Sequence, residues 1–334
     1  MKICVYGAGA IGGVIAARLA LSGAATVSVV ARGPHLAAIH DGGIRLESGG
    51  HTAVAKVRGS DDPDALGAQD LVIAAVKAHQ LAGIADGLTR LLKNGTTVVY
   101  AVNGIPWWYF HKLAGPYAEK RLPLLDPGGN LWNRVGVDRT VGCIINFPAS
   151  ITGPGSVRHG GGNNRIAFGE LGREQSSRLT KIASVLQQAG FSVDTHRPIR
   201  DEVWNKLAHV VAVSAIAVLT GAPSGIAFLD PLVRALAEKA YGEIFALGAV
   251  LGAPLDVDVK ALAAANRSPN KPSMLQDLEA GRPMEIDPQL TVPVELAREA
   301  GLAVPTLDAL LGLVRIRAAR AGLYGHSAAH DVVS

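Results

Sequence analysis

The sequence predicts an α/β fold: a Rossmann-like N-terminal domain over residues 1–196, followed by an all-α C-terminal domain over residues 197–334. Three observations carry this. Gly7-Ala8-Gly9-Ala10-Ile11-Gly12 sits between an apolar run of strand length and a run of helical spacing. Strand-length runs and turn residues then alternate as far as His196. From Pro198 onward only helical patterns remain, punctuated by Pro and Gly. At 334 residues the chain is long enough for two cores.

The first elements form a βαβ unit. Lys2 to Tyr6 reads as a buried strand, Val14 to Leu21 as a helix and Thr26 to Ala31 as a second strand. In that context each fingerprint glycine has a physical role. Gly7 makes the tight turn out of the strand, Gly9 lets backbone approach a pyrophosphate, and Gly12 lets the helix pack close to the sheet. Gly7, Ala8, Gly9, Ala10, Ile11 and Gly12 are therefore candidate cofactor-binding residues, with the pyrophosphate on the helix N-terminus. An NAD site usually has Asp or Glu at the end of the second strand. This chain has no carboxylate before Asp41 and instead has Arg32 there. An arginine fork suits a 2′-phosphate, so NADPH is expected over NADH.

Pro34 to His40 reads as a short helix, and Ile44 to Leu46 with Thr52 to Val57 as a hairpin around Gly49-Gly50. Asp70 to Val76 is the next buried strand. Lys77 follows it, at the C-terminal edge where open α/β sheets bind ligands. Thr96 to Val102 is another strand and ends in Asn103-Gly104. Asn103 is either a ligand contact at that edge or simple turn chemistry. Residues 107–139 form a long aromatic-rich excursion, expected to be a pocket wall or an oligomer contact. The run Trp107-Trp108-Tyr109-Phe110 would suit a homodimer. Thr140 to Phe147 returns to the sheet. Ser156 to His159 and Arg165 to Phe168 are expected to be antiparallel strands around Gly160-Gly161-Gly162. Gln175 to Ala189 is an amphipathic helix, and Phe191 to Thr195 a last strand. Six helical patterns follow: Ile199 to Leu219, Pro231 to Leu251, Asp256 to Ala265, Ser273 to Ala280, Pro288 to Ala300 and Thr306 to Ala321. A nucleotide domain followed by a helical one is expected to hold substrate in the cleft between them.

Composition narrows the function classes. The chain is 49% hydrophobic and 18% charged, as globular chains are, and its net charge of +4 is mild. Its basic residues form no run, which argues against a nucleic-acid partner. Only Cys4 and Cys143 occur, which fits a reducing cytoplasmic setting and provides no metal or disulfide framework. The N-terminal apolar run is broken by the glycine fingerprint, unlike a signal peptide. The longest later apolar run, Val210 to Leu219, is too short to span a membrane.

Chemistry is concentrated in the helical half. In Asp201-Glu202-Val203-Trp204-Asn205-Lys206-Leu207, Lys206 stands where a charged helix end passes into an apolar run. It is either a snorkelling surface lysine or a partly desolvated ammonium that protonates a carbonyl oxygen as hydride arrives. Val210 and Ser214 lie one and two helical steps further on the same face. Ser273-Met274-Leu275-Gln276-Asp277 opens a helix, with Ser273 and Gln276 as a capping box or as part of a carboxylate site. Glu285 precedes another helix start and is either an ordinary acid or a functional one.

These stretches together resemble the ketopantoate reductase family along essentially the whole chain. Besides the fingerprint, the marks are Val76-Lys77-Ala78-His79-Gln80, Val102-Asn103-Gly104, Gly153-Pro154-Gly155-Ser156-Val157-Arg158-His159 and Glu202-Val203-Trp204-Asn205-Lys206-Leu207. The most specific pair is Ser273-Met274-Leu275-Gln276-Asp277 followed shortly by Glu285-Ile286-Asp287. The resemblance implies NADPH-dependent reduction of a 2-oxo acid to a 2-hydroxy acid. It implies that Lys206 is the proton donor, oriented by Glu285, which also reaches the cofactor side. Asn103 would bridge nicotinamide and substrate, Lys77 would bind cofactor, and Asn270 and Ser273 would hold substrate.

The departures concern substrate. The family usually has asparagines where this chain has Val210 and Ser214, and Tyr-x-Asn-Gly where it has Pro288-Gln289-Leu290-Thr291. A valine cannot bond a substrate hydroxyl. This predicts roughly one to two powers of ten less efficiency on ketopantoate and a preference for a less polar acid, unless His209 or Ser214 compensates. A dehydrogenase for another 2-hydroxy acid and a non-catalytic NADPH-binding sensor are the alternative functions.

Overall fold

Lys2 to Tyr6 is buried on both faces, so it can only be an interior strand of a covered sheet. The computed structural model, which describes residues 1–324, places it so. The chain divides into two compact units, Met1–Val102 with Pro106–Glu202, and Asn103–Ile105 with the described residues from Val203 onward.

In the first unit, β1 (Lys2–Tyr6), α1 (Ala10–Ser22) and β2 (Thr26–Val30) form the expected βαβ unit. Next come α2 (Gly33–Gly42), the hairpin β3 (Ile44–Ser48) and β4 (His51–Ala55), and then β5 (Arg58–Ser60), β6 (Leu71–Ala74), α3 (Ala85–Thr89) and β7 (Thr97–Tyr100). After the excursion follow β8 (Thr140–Asn146), β9 (Ala149–Gly153), β10 (Ser156–His159), β11 (Arg165–Gly169), α4 (Ser177–Gln188) and β12 (Ser192–Asp194). Eight strands form one sheet in the order β12-β11-β8-β7-β6-β1-β2-β5, parallel except where β11 meets β8. The order reverses at β1, which lies between β2 and β6; such a switch point is where open α/β sheets bind ligands. The core between sheet and helices includes Val5, Ile15, Leu19, Val99 and Phe168, all at most 2% exposed.

Two expectations are corrected here. Ser156–His159 and Arg165–Gly169 do not pair with each other. β10 pairs with β3 and β9 in a separate four-stranded sheet, β4-β3-β10-β9, while β11 pairs with β8 and β12. Gly161 and Gly162, at φ 77° and 69°, carry the chain from one sheet to the other rather than closing a hairpin. The aromatic run is not an oligomer surface either. Trp107, Trp108, Tyr109 and Phe110 are at most 2% exposed within this single chain. Trp107 packs edge-on to Tyr100 and Trp132, with ring centroids 5.3 and 6.0 Å away. Arg200, itself 1% exposed, anchors the run from behind by donating to the backbone carbonyls of Tyr109 (2.9 Å), Leu171 (2.6 Å) and His111 (2.5 Å).

The second unit is helical, and no strand lies beyond Asp194 among the described residues. The division falls inside α5 (Ile199–Thr220), between Glu202 and Val203, rather than at His196. Then come α6 (Ser224–Ala227), α7 (Pro231–Val250), α8 (Val259–Ala265), α9 (Ser273–Glu279), a π-helical turn at Asp287–Thr291, α10 (Val292–Glu299) and α11 (Pro305–Arg320). Asp230 and Asp258 cap α7 and α8, and Glu243 on α7 accepts from the Thr306 and Leu307 amides at the start of α11. Gly248 on α7 lies so close to the Trp204 ring on α5 that an added Cβ would fall 2.9 Å from it. By length and composition α5 could cross a bilayer, being longer than its apolar run suggested. Yet 72% of its most apolar stretch is buried by the protein itself.

Candidate active site

The glycine turn is built for close approach. Gly7 has φ 98°, and a Cβ there would fall 2.8 Å from Val76 Cγ1. A Cβ on Gly12 would collide with the Gly7 carbonyl, whereas one on Gly9 would meet nothing within 4 Å. Gly7 and Gly12 are thus demanded by chain packing, and Gly9 borders open space. α1 begins at Ala10 with no acid in its first turn and no side-chain cap, which leaves its first N–H groups to an anion. Arg32 lies at the C-terminal end of β2, exposed, its side chain without a hydrogen bond or ion pair among the described residues. Lys77 follows β6. The turn, Arg32 and Lys77 therefore share the C-terminal edge of three adjacent parallel strands. An open Gly9 cradle and these cations fit a phosphate-bearing dinucleotide.

In the second unit, Asn103–Ile105 is clipped onto the π turn. The Ile105 amide donates to the Pro288 carbonyl at 2.8 Å, and a Cβ on Gly104 would fall 2.6 Å from Pro288 Cβ. Asn103 is thereby tied to the segment that follows Glu285. Glu285 is 4% exposed and so is no ordinary surface acid. The turn is braced by Asp287, which accepts from Thr291 Oγ1 (2.9 Å) and Tyr324 Oη (2.6 Å), while Arg315 donates to Thr291 Oγ1 at 3.0 Å. A π turn replaces ordinary helix here, an irregularity often found at functional sites. Gln289, in this turn, is fully buried with neither amide atom hydrogen-bonded among the described residues.

Lys206 lies one helical turn after Glu202, whose carboxylate Arg165 grips in bidentate fashion at 2.8 and 2.7 Å; Arg165 also binds Asp194 at 2.7 Å. The start of the lysine's helix is thus fixed to β11. Lys206 keeps part of its surface, yet surrounding protein desolvates its ammonium and lowers its pKa from the ordinary 10.5. No ion pair offsets this among the described residues.

His209, one turn beyond Lys206, is exposed. Crowding by protein, and then the Lys206 charge, pushes its pKa down to about 4. Its Nδ1 lies 3.3 Å from Asn266 Nδ2, and Asn266 is held in turn by Ser224 Oγ at 2.6 Å and Tyr241 Oη at 3.3 Å. Val210 and Ser214 are buried, at 9% and 2% exposure. Ser273 is the first residue of α9 and not its cap, so the capping-box reading fails. Pro272 holds the cap position, and Gln276 donates instead to the Lys271 carbonyl. Asn270 is exposed. Sequence reasoning missed Asn266, which carries no local signal beyond a polar residue after a short apolar helix.

Comparison with known proteins follows the same outline. Residues 3–173 match the family profile described as ketopantoate reductase PanE/ApbA, and residues 198–318 match that of its C-terminal part. A 2-dehydropantoate 2-reductase of Mesorhizobium japonicum is 42% identical over 97% of this chain and 100% of its own length. A crystal structure described as a ketopantoate reductase of Ralstonia solanacearum is 38% identical and superposes with a TM-score of 0.91, covering 97% of this chain and 99% of that one. A D-mandelate dehydrogenase solved with NADH and anilino(oxo)acetate shares the fold at 22% identity and a TM-score of 0.84, over 97% of this chain and 100% of its own.

Proposed function

This chain belongs to the ketopantoate reductase family of oxidoreductases, and we propose that it reduces ketopantoate, a 2-oxo acid, to the 2-hydroxy acid with NADPH. The observation that carries the proposal is Lys206, an ammonium desolvated by surrounding protein, in the unit that also contains Glu285 and the clipped Asn103. When bound, NADPH supplies a hydride to the keto carbon. Lys206 supplies the proton to the keto oxygen; desolvation makes it a stronger acid than a surface lysine. Glu285 aligns Lys206 and reaches the cofactor side, and the Ile105–Pro288 bond holds Asn103 to bridge nicotinamide and substrate. Ser273, Asn270 and Ser214 hold the substrate.

The cofactor choice rests on Arg32, which is exposed, uncommitted and placed at the end of β2, with Lys77 on the same edge. Charge-assisted hydrogen bonds to a 2′-phosphate contribute about 1.5–3 kcal/mol, or about ten- to a hundredfold. Steady-state kinetics should therefore show NADPH favoured over NADH by at least about tenfold. In Arg32→Ala the KM for NADPH should rise by that factor and NADH kinetics should hardly move. Equal efficiency with the two cofactors in the unmodified protein would remove Arg32 from this role.

A further inference from the structure

We propose that His209 is a specificity-determining residue for this reaction: through its Nε2–H it donates a hydrogen bond to the hydroxyl at the far end of the 2-oxo acid, replacing the amide that Val210 lacks. This deepens the proposed function and rests on it.

The reasoning starts at Asn266. Its Oδ1 lies 2.6 Å from Ser224 Oγ, a usual O–H···O separation and shorter than an amide N–H···O bond normally allows. The oxygen therefore faces Ser224 and accepts its hydroxyl proton. Nδ2 then points its two protons at the remaining neighbours, Tyr241 Oη and His209 Nδ1, each 3.3 Å away. The amide is fully used, and it is held by groups that cannot turn away: Tyr241 and Ser224 are 0% and 2% exposed, and Asn266 is 7% exposed. His209 Nδ1 is thus an acceptor. A neutral imidazole with an accepting Nδ1 carries its proton on Nε2. With a pKa near 4 the ring stays neutral at physiological pH. The result is a donor of fixed tautomer and fixed ring orientation, exposed, and one helical step from the proton donor Lys206.

The other polar groups on this face are poorer candidates. Ser214 is 2% exposed, and Val210 has nothing to donate. Nε2–H of His209 has no partner among the described residues, whereas Nδ1 is occupied. A network that saturates an asparagine to orient one imidazole, and leaves the donor free beside the reacting lysine, is arranged for an acceptor on the substrate. Ketopantoate has a hydroxyl oxygen two carbons from its keto carbon. The same acid without that hydroxyl, 3,3-dimethyl-2-oxobutanoate, is the matched control.

The test compares kcat/KM with NADPH for these two acids in the unmodified protein, His209→Leu and His209→Gln. Losing one such hydrogen bond costs about tenfold. His209→Leu is expected to lower kcat/KM for ketopantoate about tenfold, chiefly through KM, and to leave the deoxy acid and NADPH affinity nearly unchanged. His209→Gln, which keeps a donor, should recover part of the loss. An equal fall on both acids, or no fall on either, would overturn the assignment of His209 and leave the reductase reading standing. Failure of the unmodified protein to reduce either acid would overturn both.

Discussion

Lys206→Ala is expected to lower kcat for 2-oxo acid reduction by about a hundred- to ten-thousand-fold, the usual cost of losing a positioned general acid. NADPH affinity, measured by fluorescence titration, should be nearly unchanged, because the residues proposed to bind the cofactor phosphates, Gly7–Gly12, Arg32 and Lys77, lie in the other unit. A pH profile separates this role from a structural one. The donor must be protonated to act, and burial lowers its pKa, so reduction should fail as pH rises through a value below the ordinary lysine 10.5. That alkaline limb should be missing in Lys206→Ala. The same sign governs stability. An ammonium whose folded pKa lies below its unfolded value favours the unfolded chain; this site's penalty is full below the folded pKa and fades as pH rises from there to the unfolded value. Near-normal turnover in Lys206→Ala, or an alkaline limb that survives in it, would exclude Lys206 as the donor.

Arg200→Met should be the most damaging single change to the first unit. The guanidinium is 1% exposed and serves three buried backbone carbonyls, one in the aromatic run and one just after it. Burial lowers its pKa, so its charge is carried at a cost that those carbonyls help to offset. Methionine fills part of the volume but bonds none of them. Each buried group left without a partner costs about 1–3 kcal/mol, so a loss of about 3–5 kcal/mol is expected. Denaturant unfolding followed by tryptophan fluorescence suits the case, because Trp107, Trp108 and Trp132 lie in the first unit and only Trp204 in the second. A loss under about 1 kcal/mol would show that the anchor matters little.

The general plan of the chain was legible because it is periodic. A strand buried on both faces, a glycine turn and a helix follow each other within the first twenty-two residues, and nearly every helix of the second unit has Pro or Asp at its start. What local pattern does not carry is which strands meet. Ser156–His159 and Arg165–Gly169 look like a hairpin because they are neighbours in sequence, yet their partners lie far along the chain, at β3 and β8. The aromatic run misled for a related reason. A cluster of large rings signals burial, but partners remote in sequence, such as Arg200 about ninety residues later, show that the burial is internal.

Within the site, Lys206 stood out as a charge at the border of an apolar run and Asn103 as a polar residue at a strand end, whereas Glu285 was only an acid before a helix start until the family resemblance gave it a role. The Ile105–Pro288 clip, the Asp287 brace and the Asn266 network join residues remote in sequence, and no spacing rule reveals them. Ser273 shows the opposite error. Its spacing to Gln276 satisfies the capping rule, but Pro272 takes the cap position and the side chains bond elsewhere or not at all.

The most direct measurement is kcat/KM with NADPH for ketopantoate beside 2-oxo acids bearing branched or aromatic tails, with the hydroxy acid identified as product. Ketopantoate is expected to be the best substrate, since His209 offers its hydroxyl the donor that Val210 cannot. A clear preference for an apolar tail would contradict the proposed substrate. NADPH binding without oxidation by any acid on the panel would contradict the reductase itself, and would leave a dinucleotide-binding sensor.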